Sequence, residues 1–209
     1  MLIHGWDEAT GEEEWRSFVA DHPFGDLVAP GRDRDLPVVV PTQFVLDGDE
    51  VLIHLVRQNP VWAAIEENPS VLLSVSGDWA FIPSSWKAIG DEDPRTGIPT
   101  TYHASVQLTG VAQIVDDPAG VAEVLRIQLA GLQPDEDVVD PSEHPSRLGA
   151  IRALRLPVSE VRAKFKYGGN VDRDHRLAIA ARLERRGLAG DLAAAAHVRR
   201  RTGAEAASG

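Results

Sequence analysis

Short apolar runs with the two-residue alternation of β-strands follow one another closely between residues 36 and 166. A parallel sheet needs a helix at each crossover, whereas antiparallel strands can be joined by tight turns. The runs at 36–46 and 50–56, for example, are separated only by Asp47-Gly48-Asp49, which is typical of a hairpin loop. The pattern favours an antiparallel barrel, mainly β with peripheral helices, over a doubly wound sheet.

Helical segments are fewer than strands. Apolar spacing and helix-start residues predict helices in five segments: 11–22, 60–68, 118–132, 172–187 and 188–201. Gly77-Asp78 predicts a turn between two short strands, 71–76 and 79–83. Two longer strands are expected at 102–115 and 151–166.

The chain changes from strand-like to helical character near residue 170. We expect a barrel domain over 1–170, a helical segment over 171–202 packed on that barrel, and a disordered tail over 203–209. With 209 residues, the chain can bury a sizeable core without covalent crosslinks.

Charge is distributed unevenly along the chain. Residues 1–150 carry 8 basic and 26 acidic side chains, a net charge of −18, whereas 151–209 carry 13 and 6, a net charge of +7. Because an acidic body repels phosphate backbones, the balance argues against nucleic acid as a partner. The basic C-terminal part is expected to pack on its own acidic body or on a partner subunit, with a nucleic-acid arm as the alternative.

The absence of cysteine excludes several classes of chemistry. With no cysteine in the sequence, disulfides, thiolate metal sites, iron–sulfur clusters and cysteine nucleophiles are ruled out. No histidine pair has the spacing of a helical zinc site, and the serine-hydrolase, Rossmann and P-loop motifs do not occur. The sequence has neither a membrane-length apolar run nor the layout of a signal peptide, so we expect a cytoplasmic protein.

His54 is the first candidate for chemistry, because it lies inside the apolar strand 51–56. An imidazole in such a strand is expected to be neutral and hydrogen-bonded, or to ligate something, and a core histidine is the simpler alternative. Arg57 and Asn59 follow where the strand turns into a predicted helix. That turn suits a phosphate or carboxylate, although a surface ion pair explains Arg57 equally well.

A second group of candidates surrounds Lys87. It is one of three lysines in a chain with 18 arginines, so a compact amine that can lose its proton is one explanation, and drift is the other. Tyr102 and His103, at the start of a strand, could donate or accept a proton. Because side chains alternate along a strand, only one of the two can face a given pocket.

Segments that include these residues resemble the PaiB-type family of "FMN-binding negative transcriptional regulators", over about residues 20–200. The segments are HPFGDLVA (22–29), VPTQFVLDGDEVLIHLVRQNPVW (40–62), SGDWAFIPSSW (76–86), IPTTYHASVQLTGVAQIVDD (98–117) and KFKYGGNVDRDHRLAIAARLERRG (164–187). The resemblance implies a split β-barrel that forms a homodimer, with cofactor sites near the subunit interface.

Two departures from the usual family pattern indicate a branch. Pro99-Thr100-Thr101-Tyr102-His103 and Ser85-Trp86-Lys87 replace the usual Pro-Thr-Trp-Asn-Tyr and Ser-Trp-Tyr, in the region expected to face the cofactor. Both are similar to the haem-dependent piperazate synthases, as is 165–170 (FKYGGN). Those enzymes convert N5-hydroxy-L-ornithine into the cyclic hydrazine L-piperazic acid.

The resemblance to this branch implies roles for the candidates. Haem b is the implied cofactor, with His54 as the iron ligand. Lys87 and Tyr102 would handle protons, with His103 as a substitute, and Arg57 could clamp the substrate carboxylate.

The remaining expectations follow from the positions of residues within the segments that resemble the family. Asn59, Trp86 and Thr100 are predicted to contact the cofactor. The expected partners are a hydroxylated ornithine and a second copy of the chain. The alternatives are an FMN-binding oxidoreductase and a transcriptional regulator of the same fold.

Overall fold

The computed structural model describes residues 1–88 and 91–208, the last five of them by their backbone. Within these residues the strands are β1 (Phe24–Ala29), β2 (Val38–Gln43), β3 (Val45–Asp47), β4 (Glu50–Val56), β5 (Ser70–Ile82), β6 (Thr100–Val111), β7 (Gln113–Val115) and β8 (Ile151–Lys166). The α-helices are α1 (Glu12–Asp21), α2 (Val61–Glu67), α3 (Ser84–Lys87), α4 (Pro118–Leu132), α5 (Pro145–Leu148), α6 (Arg173–Arg186) and α7 (Asp191–Ser208). The expected class, mainly β with peripheral helices, is confirmed.

The strands form one sheet in the order β2-β1-β5-β6-β8-β4-β3, and β7 also pairs with β8. The β1–β2, β1–β5, β3–β4, β4–β8 and β7–β8 ladders are antiparallel. The predicted hairpin is confirmed, because Asp47 lies opposite Glu50 and Gly48 adopts a positive φ of 57° in the turn.

One strand boundary predicted from the sequence is wrong. The runs 71–76 and 79–83 are not separate strands, because β5 continues through Gly77-Asp78. Asp78 departs from the extended conformation, with a φ of +50°, and the residues after it continue the strand. The expected strands at 36–46 and 102–115 are each interrupted instead, at Phe44 and at Ala112.

Helices α4 and α6 begin or end at residues that are typical of helix ends. Asp117 accepts a hydrogen bond from the Gly120 amide at the start of α4, and Asp172 does the same for His175 at the start of α6. Gly187 ends α6 in the left-handed conformation. Helix α7 continues to Ser208 and so includes most of the expected tail, whereas Gly209 lies outside the described residues.

By its internal contacts the chain divides into two units. Unit 1 is formed by the described residues of Met1–Trp15, Ser76–Val106 and Ala163–Gly209, and unit 2 by Arg16–Val75 and Gln107–Arg162. In unit 1, α6 packs against α7 and contributes Ile179 and Leu183 to the core. In unit 2, α4 packs against β4. The division of the chain at residues 170 and 202 stays a prediction.

Candidate functional site

In unit 2, His54 makes a hydrogen bond that determines which ring nitrogen carries the proton. Its Nδ1 lies 2.7 Å from the side-chain oxygen of Gln128, and the amide nitrogen of Gln128 donates to the Leu52 carbonyl at 3.0 Å. Because that second bond orients the buried amide, the Gln128 oxygen can only accept. Nδ1 of neutral His54 therefore carries the hydrogen, and Nε2 keeps its lone pair.

The surroundings of His54 differ from the sequence-based expectation. Val51, Leu52 and Ile53 are buried, but β4 emerges at its end, where His54 and Val56 are exposed. The alternative of a core histidine is therefore wrong, and the imidazole makes the hydrogen bond that was one of the two expectations. An accessible Nε2, with Nδ1–H held by an acceptor, is the arrangement in which a histidine binds a metal. The donor set at this position thus fits an axial ligand of haem iron.

Arg57 is engaged within unit 2 on all three guanidinium nitrogens. Nε donates to the Gly149 carbonyl at 2.9 Å, Nη2 donates to the Ile151 carbonyl at 3.2 Å, and Nη1 pairs with Asp116. The Asn59 side chain accepts from the Val61 amide at 3.0 Å and so gives the first amide of α2 a hydrogen-bond partner. A ligand phosphate would have to compete with these bonds, and the cofactor contacts of both residues stay predictions.

Unit 1 contains a cavity of about 400 Å³, which we call the lysine cavity. Its lining residues come from the N-terminal segment, α3, the start of β6, the end of β8 and the residues after it; those used below are His4, Asp7, Lys87, Thr100, Tyr102, Lys166 and Gly168. Three of the predicted site residues, Lys87, Thr100 and Tyr102, therefore share one cavity. His54, Arg57 and Asn59 belong to unit 2.

Tyr102 presents a buried hydroxyl to the lysine cavity. The side chain is 1% exposed, and among the described residues its hydroxyl oxygen has no hydrogen-bond partner. Burial raises the pKa of the Tyr102 phenol to about 12, so the group stays protonated at neutral pH. Gly168, with a φ of +80°, makes room for it, because a Cβ at that position would collide with the hydroxyl oxygen.

The two lysines of the cavity have different surroundings. Lys166 donates to the Thr100 hydroxyl at 2.8 Å, which uses one of its three ammonium hydrogens. Burial, and secondarily the charge of Lys166, lower the pKa of Lys87. Burial also raises the pKa of Asp7, the carboxyl among the described lining residues. Lys87 thus loses its proton more readily than an ordinary lysine side chain.

Two further candidates do not line the lysine cavity as the described residues form it. His103 follows Tyr102 on the same strand and so points to the opposite face, where burial lowers its pKa. The Trp86 ring instead carries the Arg186 guanidinium 4.8 Å from its centroid, and the Trp86 carbonyl lies 2.8 Å from His175 Nε2. The structure thus favours Tyr102 over His103 as the group that faces the cavity.

Two residues of the candidate site were not predicted from the sequence. Gln128 occupies a buried position of α4, seven residues after buried Val121 and four after Val124. A glutamine in an apolar stripe is a signal that could have been found. Lys166 shares the scarcity of lysine that drew attention to Lys87.

Two other features are absent from the described residues. These residues include no group of three or more histidine, cysteine or acidic side chains that could hold a metal ion. Among them there is also no helix with the length and hydropathy that a membrane crossing requires.

Comparison with known proteins identifies the family. Residues 1–160 match the family model described as "Putative FMN-binding domain". The chain belongs to this family. The FMN-binding domain family match covers β1 to β7 and most of β8, and so includes His54, Gln128 and Lys87.

Relatives of this FMN-binding family member include a sporulation protein and cofactor-binding proteins. The chain is 25% identical to "Protease synthase and sporulation protein PAI 2" of Bacillus subtilis (strain 168), over 88% of this chain and 89% of that protein. The flavocytochrome Anf3 of Azotobacter vinelandii superposes with a TM-score of 0.63 at 22% identity, covering 80% of this chain and 73% of Anf3.

A second solved structure has the same fold. The FAD and haem binding protein of Mycobacterium smegmatis superposes with a TM-score of 0.59 at 20% identity, covering 81% of this chain and 78% of that one. The fold is therefore the split β-barrel of the PaiB-like proteins, as the sequence predicted. Structures with this fold include flavin and haem binders, so the fold does not by itself choose the cofactor.

Proposed function

We propose that this protein is a haem-dependent cyclase that converts N5-hydroxy-L-ornithine into L-piperazic acid. The observation that carries the haem assignment is His54, whose accessible Nε2 and hydrogen-bonded Nδ1 fit an axial iron ligand. The substrate is supported by the resemblance of 85–87, 99–103 and 165–170 to the piperazate synthases. The lysine cavity supports it further, because it offers groups that can exchange protons with an amine.

The α-ammonium group loses two protons, one before it attacks and one as the N–N bond forms, and the departing hydroxide gains one, so that one proton is released to solvent. The α-nitrogen forms a bond to N5, the N–O bond breaks with its electron pair on oxygen, and the products are the hydrazine and water, with no external oxidant or reductant. Haem, when bound, would supply an iron that polarises the N–O bond as a Lewis acid. The protein must hold the α-amine in its deprotonated form and supply a proton to the departing hydroxide.

The electrostatics of the lysine cavity match those two tasks. Lys87, whose pKa is lowered by burial, is our candidate for the base that accepts a proton from the α-ammonium group. The Lys87 ammonium formed in that step is our candidate for the group that donates a proton to the departing hydroxide, while Tyr102, whose pKa is raised to about 12, keeps its proton and serves as a hydrogen-bond donor. Activity is expected to rise with pH as Lys87 loses its proton.

The test combines a spectrum with an assay. The protein is expressed with a haem precursor, and wild type, His54→Ala and Lys87→Met are compared by absorbance and by conversion of N5-hydroxy-L-ornithine. We expect a Soret band in wild type and in Lys87→Met, none in His54→Ala, and turnover in wild type alone. Full haem absorbance in His54→Ala would exclude it as the ligand, and full turnover of Lys87→Met would exclude that lysine as the base.

The family match favours a flavin as the second candidate cofactor. An FMN-binding oxidoreductase needs a phosphate site, and the one expected at Arg57 and Asn59 is engaged by other groups. Two broad flavin bands in the near-ultraviolet and blue, instead of a Soret band, would establish this alternative.

A further inference from the structure

We propose that the lysine cavity is a binding site for a small carboxylate, in which the Lys166 ammonium and the Tyr102 hydroxyl hold the carboxylate of an α-amino acid. The inference deepens the proposed function and rests on the amino-acid substrate named there. It adds Lys166 as a residue that determines specificity, because a substrate without a carboxylate would lose both contacts.

The first argument is that the cavity contains donors whose hydrogens are available. The Tyr102 hydroxyl is buried and, within the described part of the chain, has no partner. An unpartnered buried hydroxyl is costly, so its persistence points to a ligand that accepts from it. Lys166 uses one hydrogen on the Thr100 hydroxyl, and that bond orients the ammonium while two hydrogens remain.

The second argument is the net charge. Lys87 is neutral when it acts as the base, so among the described lining residues Lys166 supplies the ammonium and Asp7 the one carboxyl. A monoanion with an attached amino group suits this balance better than a dianion, which Asp7 would repel. Arginine forks and helix amides are common phosphate-binding groups, and the lining formed by the described residues has no arginine.

The size of the cavity agrees with a small metabolite. About 400 Å³ lies at the lower end of the range for ligand sites in proteins, roughly 300–1,000 Å³. The backbone at Gly168 sets one wall, because any side chain there would occupy the position of the Tyr102 hydroxyl.

The experiment measures binding of L-ornithine to the full chain by isothermal titration calorimetry, without added haem. The comparison ligands are 1,4-diaminobutane, which lacks the carboxylate, and inorganic phosphate. We expect L-ornithine to bind wild type and the other two ligands to bind at least about tenfold more weakly, because a charge-assisted carboxylate contact is lost. Equal affinity for 1,4-diaminobutane, or preferential binding of phosphate, would overturn the proposal.

Variants assign the contact to residues. Lys166→Met should weaken L-ornithine binding about tenfold, and Tyr102→Phe should weaken it severalfold. Lys164→Met is the matched control, because that lysine lies on the same strand and donates to the Leu2 carbonyl. Unchanged affinity in Lys166→Met, with its fold verified by circular dichroism, would contradict the assignment. A loss of haem affinity with unchanged L-ornithine affinity would place Lys166 on a haem carboxylate and would also overturn it.

This outcome can be separated from that of the proposed function. If wild type binds L-ornithine through Lys166 but forms no piperazic acid, the cavity assignment stands and the cyclase fails. If wild type forms piperazic acid and Lys166→Met retains the same KM, the cyclase stands and the cavity assignment fails.

Discussion

At the scale of single residues, the most informative contact joins His54 to Gln128. A glutamine amide can present either its oxygen or its nitrogen, and the Leu52 carbonyl decides between them because it can only accept. The Leu52 carbonyl, the Gln128 amide and the His54 imidazole form a chain of hydrogen bonds. This order of groups fixes the proton on Nδ1 and leaves Nε2 accessible. A residue 74 positions away in the chain thus determines the chemistry that His54 can perform.

This order of groups predicts the effect of Gln128→Leu. Leucine keeps much of the volume but cannot accept from Nδ1, so the imidazole loses its fixed tautomer and orientation. Haem affinity should fall about tenfold, the lower end of the usual cost of losing such a partner. Haem titration measures the affinity, and ¹⁵N NMR of the haem-free protein should change from one histidine tautomer to a mixture at His54.

The control for that prediction is Gln113→Leu, which removes an exposed glutamine of β7 in the same unit. Its haem affinity should equal that of wild type. If Gln128→Leu also binds haem as wild type does and retains the single tautomer, the Gln128 contact does not position His54.

At the scale of elements, β5 shows how a strand can pass through residues that normally end it. Asp78 adopts a positive φ, which aspartate tolerates better than most residues, and its side chain accepts from His197 Nε2 at 2.7 Å. Its carbonyl accepts from the Tyr167 hydroxyl at 3.0 Å, and the Tyr167 ring stacks on His197 at 4.5 Å. Within unit 1 these contacts attach β5 to α7 and to the end of β8.

These contacts predict different costs for two substitutions of Asp78. Asp78→Ala removes the acceptor for buried His197 and the short polar side chain that lets residue 78 tolerate a positive φ, so it should lower the free energy of unfolding by about 2 kcal/mol. Asp78→Asn keeps an acceptor and tolerates the backbone, so its cost should stay below about 1 kcal/mol. Urea unfolding measures both, and equal stabilities of the two variants would contradict this account.

At the scale of the whole molecule, several arginines of the basic C-terminal part pair with acidic groups. Within unit 1, Arg201 donates to Glu14 at 2.7 Å, Arg199 to Glu184 at 2.6 Å and Arg186 to Asp191 at 2.6 Å. The Arg201–Glu14 pair joins the C-terminal part to the acidic residues 1–150, whereas the other two pairs lie within the C-terminal part itself. The pairing removes much of the charge that a nucleic-acid arm would offer.

We therefore predict that the protein has no salt-dependent affinity for double-stranded DNA. Fluorescence anisotropy with a labelled random duplex should show no binding at physiological salt, because the paired arginines release few counterions. Binding that weakens steeply between about 50 and 200 mM salt would contradict this prediction and favour the regulator.

The sequence predicted the class of fold better than it predicted the site. Period-two alternation and a two-residue hairpin are local signals, and they sufficed for β3, β4 and the antiparallel sheet. The lysine cavity collects residues from the N-terminal segment, α3, β6 and the end of β8, so no local pattern contains it. Lys166 and Gln128 could be assigned only once the strands and helices had brought their partners near.

The glycine that makes room for the Tyr102 hydroxyl has a consequence for sequence evolution. A mutation that places a side chain at Gly168 requires a shorter residue at position 102, since the two would compete for the same volume. Related chains should therefore change positions 102 and 168 together. A tyrosine at position 102 should always accompany a glycine at position 168. The pair then serves as a two-letter signature for recognising other members of the family that have retained this cavity.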